Sequence, residues 1–299
     1  RGLTGEIAAQ FGIGYAPDGW NGLRSIFPDY DAKPLVDAGL VIENDEGRRY
    51  DRFRDRIMFP IQDSRGNVIG FGGRVLGTGE PKYLNSPETP LFEKGRELYG
   101  LPQARQAIRE QGCAIVVEGY MDVVALAQFG VGNAVATLGT ATTAAHIHKL
   151  FRQTDRIVFC FDGDAAGRKA AWRAMENALE ALADDKHIAF LFLPQDHDPA
   201  SFVRTEGAEA FRQAVTGAMP LAEFLLRRLS TECDTATAEG RARLAHEAKP
   251  LVLRIAAPLL RLQVVKAMAS ACGMTQQELE TAWGLKPVAA RPPADTHRP

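Results

Sequence analysis

Ala114-Ile-Val-Val-Glu-Gly-Tyr-Met-Asp122, Arg156-Ile-Val-Phe-Cys-Phe-Asp-Gly-Asp164 and His187-Ile-Ala-Phe-Leu-Phe-Leu-Pro-Gln-Asp-His-Asp198 share one plan, a short apolar run that ends in acids. Each run is rich in β-branched or aromatic residues and is followed by a helical pattern, which predicts buried parallel strands joined by crossover helices. The fold class is therefore α/β. Ligands of such open sheets sit at the carboxyl ends of the strands, where these acids fall.

Two carboxylates about 4 Å apart repel by roughly 4 kcal/mol at an effective dielectric near 20, so a packed acidic group needs protons or a cation. Oxygen-only donors suit a hard metal, and magnesium held by one or two carboxylates together with substrate phosphates suits phosphoryl-transfer chemistry. The plain alternative for any one Asp after a strand is a helix N-cap, and Asp164 before Ala165-Ala166-Gly167 fits that too.

Working outward, the parallel unit is expected from about residue 111 to 205. Within it Met121 to Phe129 forms a helix stopped by Gly130, and Asn133 to Thr137 forms a further strand. Thr142 or Thr143 caps the next helix, and a long helix begins at Ala165 with Arg168, Lys169 and Arg173 early in it. Cations in a first helical turn oppose the macrodipole, so they are either surface charge or neighbours of a bound phosphate. Before this unit, residues 1–110 read as a mixed α/β subdomain: Leu3 to Phe11 and Ala32 to Ala38 as helices, then Tyr50 to Ile61 and Asn67 to Leu76 as the arms of a hairpin. Gly70 to Arg96 interleaves Arg74, Lys82, Lys94 and Arg96 with Phe71, Tyr83 and Phe92. That pattern suits single-stranded nucleic acid, whose phosphates need charge and whose bases need a flat apolar partner. Residues 51–110 carry ten Lys or Arg against eight Asp or Glu, so a solvated face competes with that reading.

Residues 206–285 read as wholly helical, with Pro220, Pro250 and Pro258 at starts or breaks and a capping box at Thr275 and Glu278. His246 reads as an ordinary helix-surface residue. Residues 286–299, with Pro292-Pro293, read as a linker-like tail.

A length of 299 residues allows two or three compact units, and a net charge of −2 argues against a generic nucleic-acid-coating protein. The four cysteines, Cys113, Cys160, Cys233 and Cys272, form no Cys-x-x-Cys and read as reduced, buried thiols of a cytoplasmic protein. No apolar run reaches the ~18 residues of a membrane span, so no membrane partner is expected. A first residue other than Met is what a piece of a longer chain would show.

Glu118 after one strand and Asp162-Gly163-Asp164 after a later one resemble the TOPRIM signature of topoisomerases, primases and related nucleases. Val117 to Val123, Leu138-Gly139-Thr140, Phe161 to Gly167 and Pro81-Lys82-Tyr83-Leu84-Asn85-Ser86-Pro87-Glu88-Thr89 together resemble the RNA polymerase core of bacterial DnaG-type primases, over nearly the whole chain to about Trp283. The resemblance implies a central TOPRIM parallel sheet, a C-terminal helical bundle, and RNA primer synthesis on single-stranded DNA from ribonucleoside triphosphates. It implies Mg2+, replaceable by Mn2+, at Asp162 and Asp164 with Asp198, Glu118 and Asp122 completing the acidic site. Glu118, Asp162 and Asp164 would be catalytic. Arg74, Lys82 and Lys94 map onto the family's basic ridge, with Arg1 on the same surface and Asn85 beside it. The family often has Asp-Pro-Asp where this chain has Asp198-Pro199-Ala200; Asp196 and Asp198 are what remains, and Asp198 matches better. A zinc-binding domain and a helicase-interaction domain flank the core in full-length members. Neither is expected in this chain, so zinc is not expected here and contact with the replicative helicase falls to a segment outside it. Two other readings share these residues: a TOPRIM topoisomerase or nuclease, and a non-catalytic nucleic-acid-binding fragment.

Overall fold

The computed structural model describes residues 2–285, so Arg1 and the linker-like tail at 286–299 lie outside the described residues. Thr4 caps helix α1 (Gly5–Gln10) by accepting the Ile7 N–H, and strand β1 (Gly14–Ala16) follows. Helix α2 (Lys33–Asp37) stops before Gly39, whose φ of +68° lies in the left-handed region. A Cβ at Gly39 would sit 2.4 Å from the Pro87 ring, so two independent constraints call for glycine. Strands β2 (Val41–Glu43) and β3 (Arg49–Asp51) then make a separate small hairpin.

Strands β4 (Arg56–Gln62), β5 (Val68–Val75) and β6 (Tyr83–Asn85) complete a four-stranded antiparallel sheet in the order β1-β4-β5-β6. The predicted hairpin is there, with Asp63 turning the chain by accepting the N–H groups of Arg65 and Asn67. Its first arm is shorter than the alternation implied. The buried Asp51 carboxylate accepts from the Tyr30 hydroxyl at 2.7 Å and the Leu23 N–H at 2.9 Å, which holds residues 49–51 in the small hairpin. Asp55, at φ +47°, then turns the chain into β4.

Helix α3 (Leu101–Gln111) leads into the parallel unit: β7 (Ala114–Val117), α4 (Tyr120–Gln128), β8 (Ala134–Ala136), α5 (Ala144–Phe151), β9 (Arg156–Phe161), α6 (Ala165–Ala178), β10 (His187–Phe192), α7 (Pro199–Thr216) and β11 (Met219–Pro220). The sheet order is β11-β10-β9-β7-β8; the last four run parallel and β11 runs antiparallel at the edge. Every residue of β7 and β8 is buried, as in a sheet covered on both faces. β11 has no counterpart in the periodicity because two residues carry none, and Pro220 is tolerated there because an edge strand need not donate. Helix α7 begins at Pro199, ahead of residue 206 where the wholly helical region is expected to start. Asp198 caps it, and Gly207 (φ +88°) kinks it where the sequence places its start.

The chain divides into two compact units, residues up to 181 with 185–221, and 182–184 with the chain from Ala222. In the first, one core takes Phe59 and Ile61 from the antiparallel sheet together with Ile115, Val117, Leu126 and Val158 from the parallel unit. The second comprises α8 (Leu221–Glu232), α9 (Ala238–Leu253), α10 (Pro258–Ala271) and α11 (Gln276–Trp283). Thr275 and Glu278 form the predicted capping box, Pro258 starts α10, and His246 is exposed. Pro250 breaks nothing: it lies inside α9, in the last turn, where a missing N–H removes a single intrahelical bond. All four cysteines are free and buried, and no described helix is long and apolar enough to cross a membrane.

Candidate active site

Because β10, β9 and β7 are parallel neighbours, the residues after them meet at one sheet edge: Asp198 beyond β10, Asp162 and Asp164 after β9, Glu118 and Asp122 after β7. Glycines allow the approach. A Cβ on Gly163 would stand 2.2 Å from the Leu193 carbonyl oxygen, one on Gly167 2.2 Å from that of Asp162, and one on Gly119 2.9 Å from the Asp122 carboxylate. Asp164 caps α6, its Oδ1 accepting the Gly167 N–H at 2.7 Å, and Asp198 caps α7, its Oδ1 accepting the Ser201 N–H at 2.6 Å. Asp122 accepts the Ala200 N–H, which ties α4 to the start of α7. The cap and cation readings of Asp164 are therefore compatible, since one carboxylate oxygen caps the helix and the other is left for a ligand.

The acids act on one another. Asp122 is pushed up to about 7 by burial first, then by the charges of Asp198, Asp162 and Glu118. Burial also raises Glu118, helped by Asp162 and Asp164, and raises Asp162, helped by Asp198 and Asp164. Among the described residues no three His, Cys, Asp or Glu converge closely enough to form a preformed metal site. Like charges spread apart, and two of these acids are oriented as caps. The donor set nevertheless fits a hard divalent cation: all oxygen, mutually repelling, and partly withdrawn from water.

Lys82 faces this edge. It lines a cleft of about 290 Å³ together with Asp122, Asp198, Tyr83 and Arg204. On the neighbouring strand Arg74 pairs in register with Tyr83, its guanidinium 5.7 Å from that ring's centroid, and its Nε is buried without a hydrogen-bond partner. Asn85 accepts the Tyr120 hydroxyl at 2.6 Å and donates to the Leu138 carbonyl at 2.9 Å, so its amide joins β6 to the ends of β7 and β8. Lys94 lies on a loop in front of α5, its N–H directed at the Glu88 carboxylate and its carbonyl accepting from His146. Neither Lys82 nor Lys94 forms an ion pair among the described residues. Arg168 donates to the Gly163 carbonyl at 3.1 Å and so braces the acidic loop.

Three contributors were not singled out from sequence. Tyr120 stacks on Phe59 with ring centroids 5.5 Å apart and meets Tyr99 edge-on at 4.8 Å; its only signal was an aromatic two positions after Glu118. Arg204 lines the cleft from a helical turn that sequence patterning left unassigned. His146, fully buried at the start of α5, carried no signal beyond its place three residues after a capping threonine.

Three family models match the chain: "DNA primase catalytic core, N-terminal domain" over residues 1–105, "Toprim-like" over 115–203, and "DnaB-helicase binding domain of primase" over 222–277. The third falls on α8 to α11 and corrects the expectation that every segment associated with helicase contact lies outside this chain. The chain is 55% identical over 280 residues to a DNA primase of Neisseria meningitidis, covering 93% of this chain and 47% of that protein. It thus spans about half the length of the curated relatives it matches. A crystal structure of a DNA primase domain from Pseudomonas aeruginosa superposes with a TM-score of 0.90 at 55% identity, covering 95% of this chain and 89% of that one. A DnaG primase catalytic domain bound to single-stranded DNA superposes with a TM-score of 0.83 at 51% identity, covering 90% and 87%.

Proposed function

Since the chain belongs to the family of bacterial DnaG-type DNA primase catalytic cores, we propose that it joins ribonucleotides into short RNA primers on a single-stranded DNA template, using a divalent cation at the acidic edge. The observation that carries this reading is one cleft lined by Lys82 and Arg204 and by Asp122 and Asp198, at the edge where burial and the neighbouring carboxylates raise the proton affinity of Glu118 and Asp162. A polyanion and a cation need such a meeting place.

In this reading Asp162 and Asp164 hold Mg2+, or Mn2+ in its place, with Asp198 and Asp122 alongside. A cation held there would supply charge stabilisation to the transferring phosphoryl group, where a 3′-hydroxyl attacks the α-phosphorus of a ribonucleoside triphosphate, the bond to the β-phosphate breaks and pyrophosphate leaves. Asp164 and Asp198 are oriented by the helices they cap, and Asp122 by the Ala200 N–H, so three carboxylates keep their positions through backbone contacts. Lys82, Lys94 and Arg74 take phosphates of the nucleotide or template, with Arg1 as an added contact. Glu118 either ligates the cation or accepts the hydroxyl proton. Glu118→Gln separates the two roles, since Gln keeps an oxygen ligand but cannot take a proton at its carbonyl.

The match over residues 222–277 supports a replicative helicase as a partner of the helical unit. A cytoplasmic place at the replication fork follows from the family. Primer synthesis on single-stranded DNA by Asp162→Ala and Asp164→Ala is the test: activity should fall to background with folding intact, and near-normal synthesis would remove the assignment.

A further inference from the structure

The loop that carries Lys94 hangs from a helix about fifty residues away in sequence. Thr143, the cap of α5, donates its hydroxyl to the Gly95 carbonyl at 2.6 Å. His146 accepts the Thr143 N–H at Nδ1 (3.1 Å) and is 2.9 Å from the Lys94 carbonyl at Nε2. One turn on, Lys149 pairs with Glu97 at 2.6 Å, both side chains about four-fifths buried (21% and 19% exposed). On the other side of the same residue, the Lys94 N–H meets both oxygens of Glu88 at 3.2 Å.

The two ring contacts fix the tautomer. An imidazole nitrogen that accepts an amide N–H carries no proton, so the proton is on Nε2, which donates to the Lys94 carbonyl. Burial lowers the pKa of this ring and favours the same neutral form. A capping box is ordinarily completed by Glu or Gln, which reaches back to the cap N–H and does nothing else. Histidine at this position completes the box with one nitrogen and uses the other to hold a second segment. The main chain on both sides of Lys94 is thereby fixed, while its ammonium has no ion-pair partner among the described residues.

We infer that His146 is a positioning residue for nucleic acid: its Nε2–H sets the Lys94 backbone so that the free ammonium is presented to a phosphate of the template strand or incoming nucleotide. The inference rests on the reading of Lys94 as a phosphate contact.

The test exploits the lengths of two amides. In His146→Asn the amide oxygen takes the place of Nδ1, keeping the cap but falling short of Lys94; in His146→Gln the amide nitrogen takes the place of Nε2 and restores the donor. Binding of a labelled single-stranded DNA oligonucleotide is measured at several salt concentrations. His146→Asn should weaken binding several-fold and reduce the salt slope by about 0.7, the share of one phosphate on a single strand. Lys94→Ala should do the same, the double variant should be no worse than either single one, and His146→Gln should bind like the parent. A normal slope for His146→Asn beside a reduced slope for Lys94→Ala overturns the inference and leaves the phosphate reading standing. A normal slope for Lys94→Ala overturns both. If His146→Asn melts below the assay temperature, Thr143→Ser and Thr143→Val read the same tether through Gly95: Ser should hold the parent slope and Val lower it, and equal slopes overturn the proposal.

Discussion

The acidic edge and the cationic strands are built by opposite means. Two of the acids are fixed by something close in sequence, Asp164 by Gly167 three residues on and Asp198 by Ser201 three residues on, while Asp122 accepts the Ala200 N–H at the start of α7. The cationic side depends on partners far along the chain, with the Asn85 amide beside it joined to Leu138 across 53 residues and the Lys94 carbonyl to His146 across 52. Local devices fix a charge wherever its strand ends. Long-range devices fix it only once two sheets have come together, so damage to the first kind should be chemical and damage to the second architectural.

The largest effect should come from Asp164, where capping and chemistry are separable. Asn caps a helix as well as Asp does. Asp164→Asn should therefore lower primer synthesis by about 100-fold or more with a melting temperature close to the parent's. Asp164→Ala should lose activity equally and also about 1 kcal/mol of stability. Parallel activity assays and thermal melts check this, and a fully active Asn variant would break the contrast at its acidic end.

Lys82→Ala should act more mildly, weakening single-stranded DNA or nucleotide binding and lowering the salt slope by about 0.7 for each phosphate that the lysine engages. Cation affinity, read by titration calorimetry with Mn2+, should stay near the parent value. A changed cation affinity with an unchanged slope would show that Lys82 serves the acids rather than the polyanion.

The smallest effect concerns protons. Asp122 titrates near 3.8 when unfolded and is pushed up to about 7 when folded. Between those values the folded state holds a proton that the unfolded state has released, so in chelator this group's contribution to stability is greatest at acid pH and falls as pH rises toward 7. Asp122→Asn should remove that fall, on the order of 2 kcal/mol or a few degrees in melting temperature. Melts from pH 5 to 8 in EDTA should show the variant gaining on the parent with rising pH, and adding Mg2+ at pH 8 should close the gap from the parent's side.

The same contrast explains what the sequence disclosed. Strands β7, β9 and β10 announce themselves because a run buried on both faces needs no partner to be recognised, and acids behind it have few reasons to be there. The capping box at Thr275 and Glu278 and the C-terminal helices were legible for the same local reason. The break between β3 and β4 was not, because it depends on Asp51 meeting Tyr30, and nothing in the alternation of residues 50–61 encodes that. Arg204 stayed hidden because Gly207 passes for a helix start when it is a kink. His146 and Tyr120 were invisible as participants because their partners, Lys94 and Asn85, lie tens of residues away.

The single core beneath both sheets bears on how the chain comes apart. Residues 1–105 and 115–203 are recognised as separate families, yet Phe59 and Ile61 from one share their burial with Ile115, Val117 and Tyr120 from the other. A cut near Gly112, whose φ of +61° closes α3, would leave each half with a bare apolar face. Expressed alone, the halves should aggregate. Expressed together they should assemble into one particle, the second half serving as the first one's missing interior.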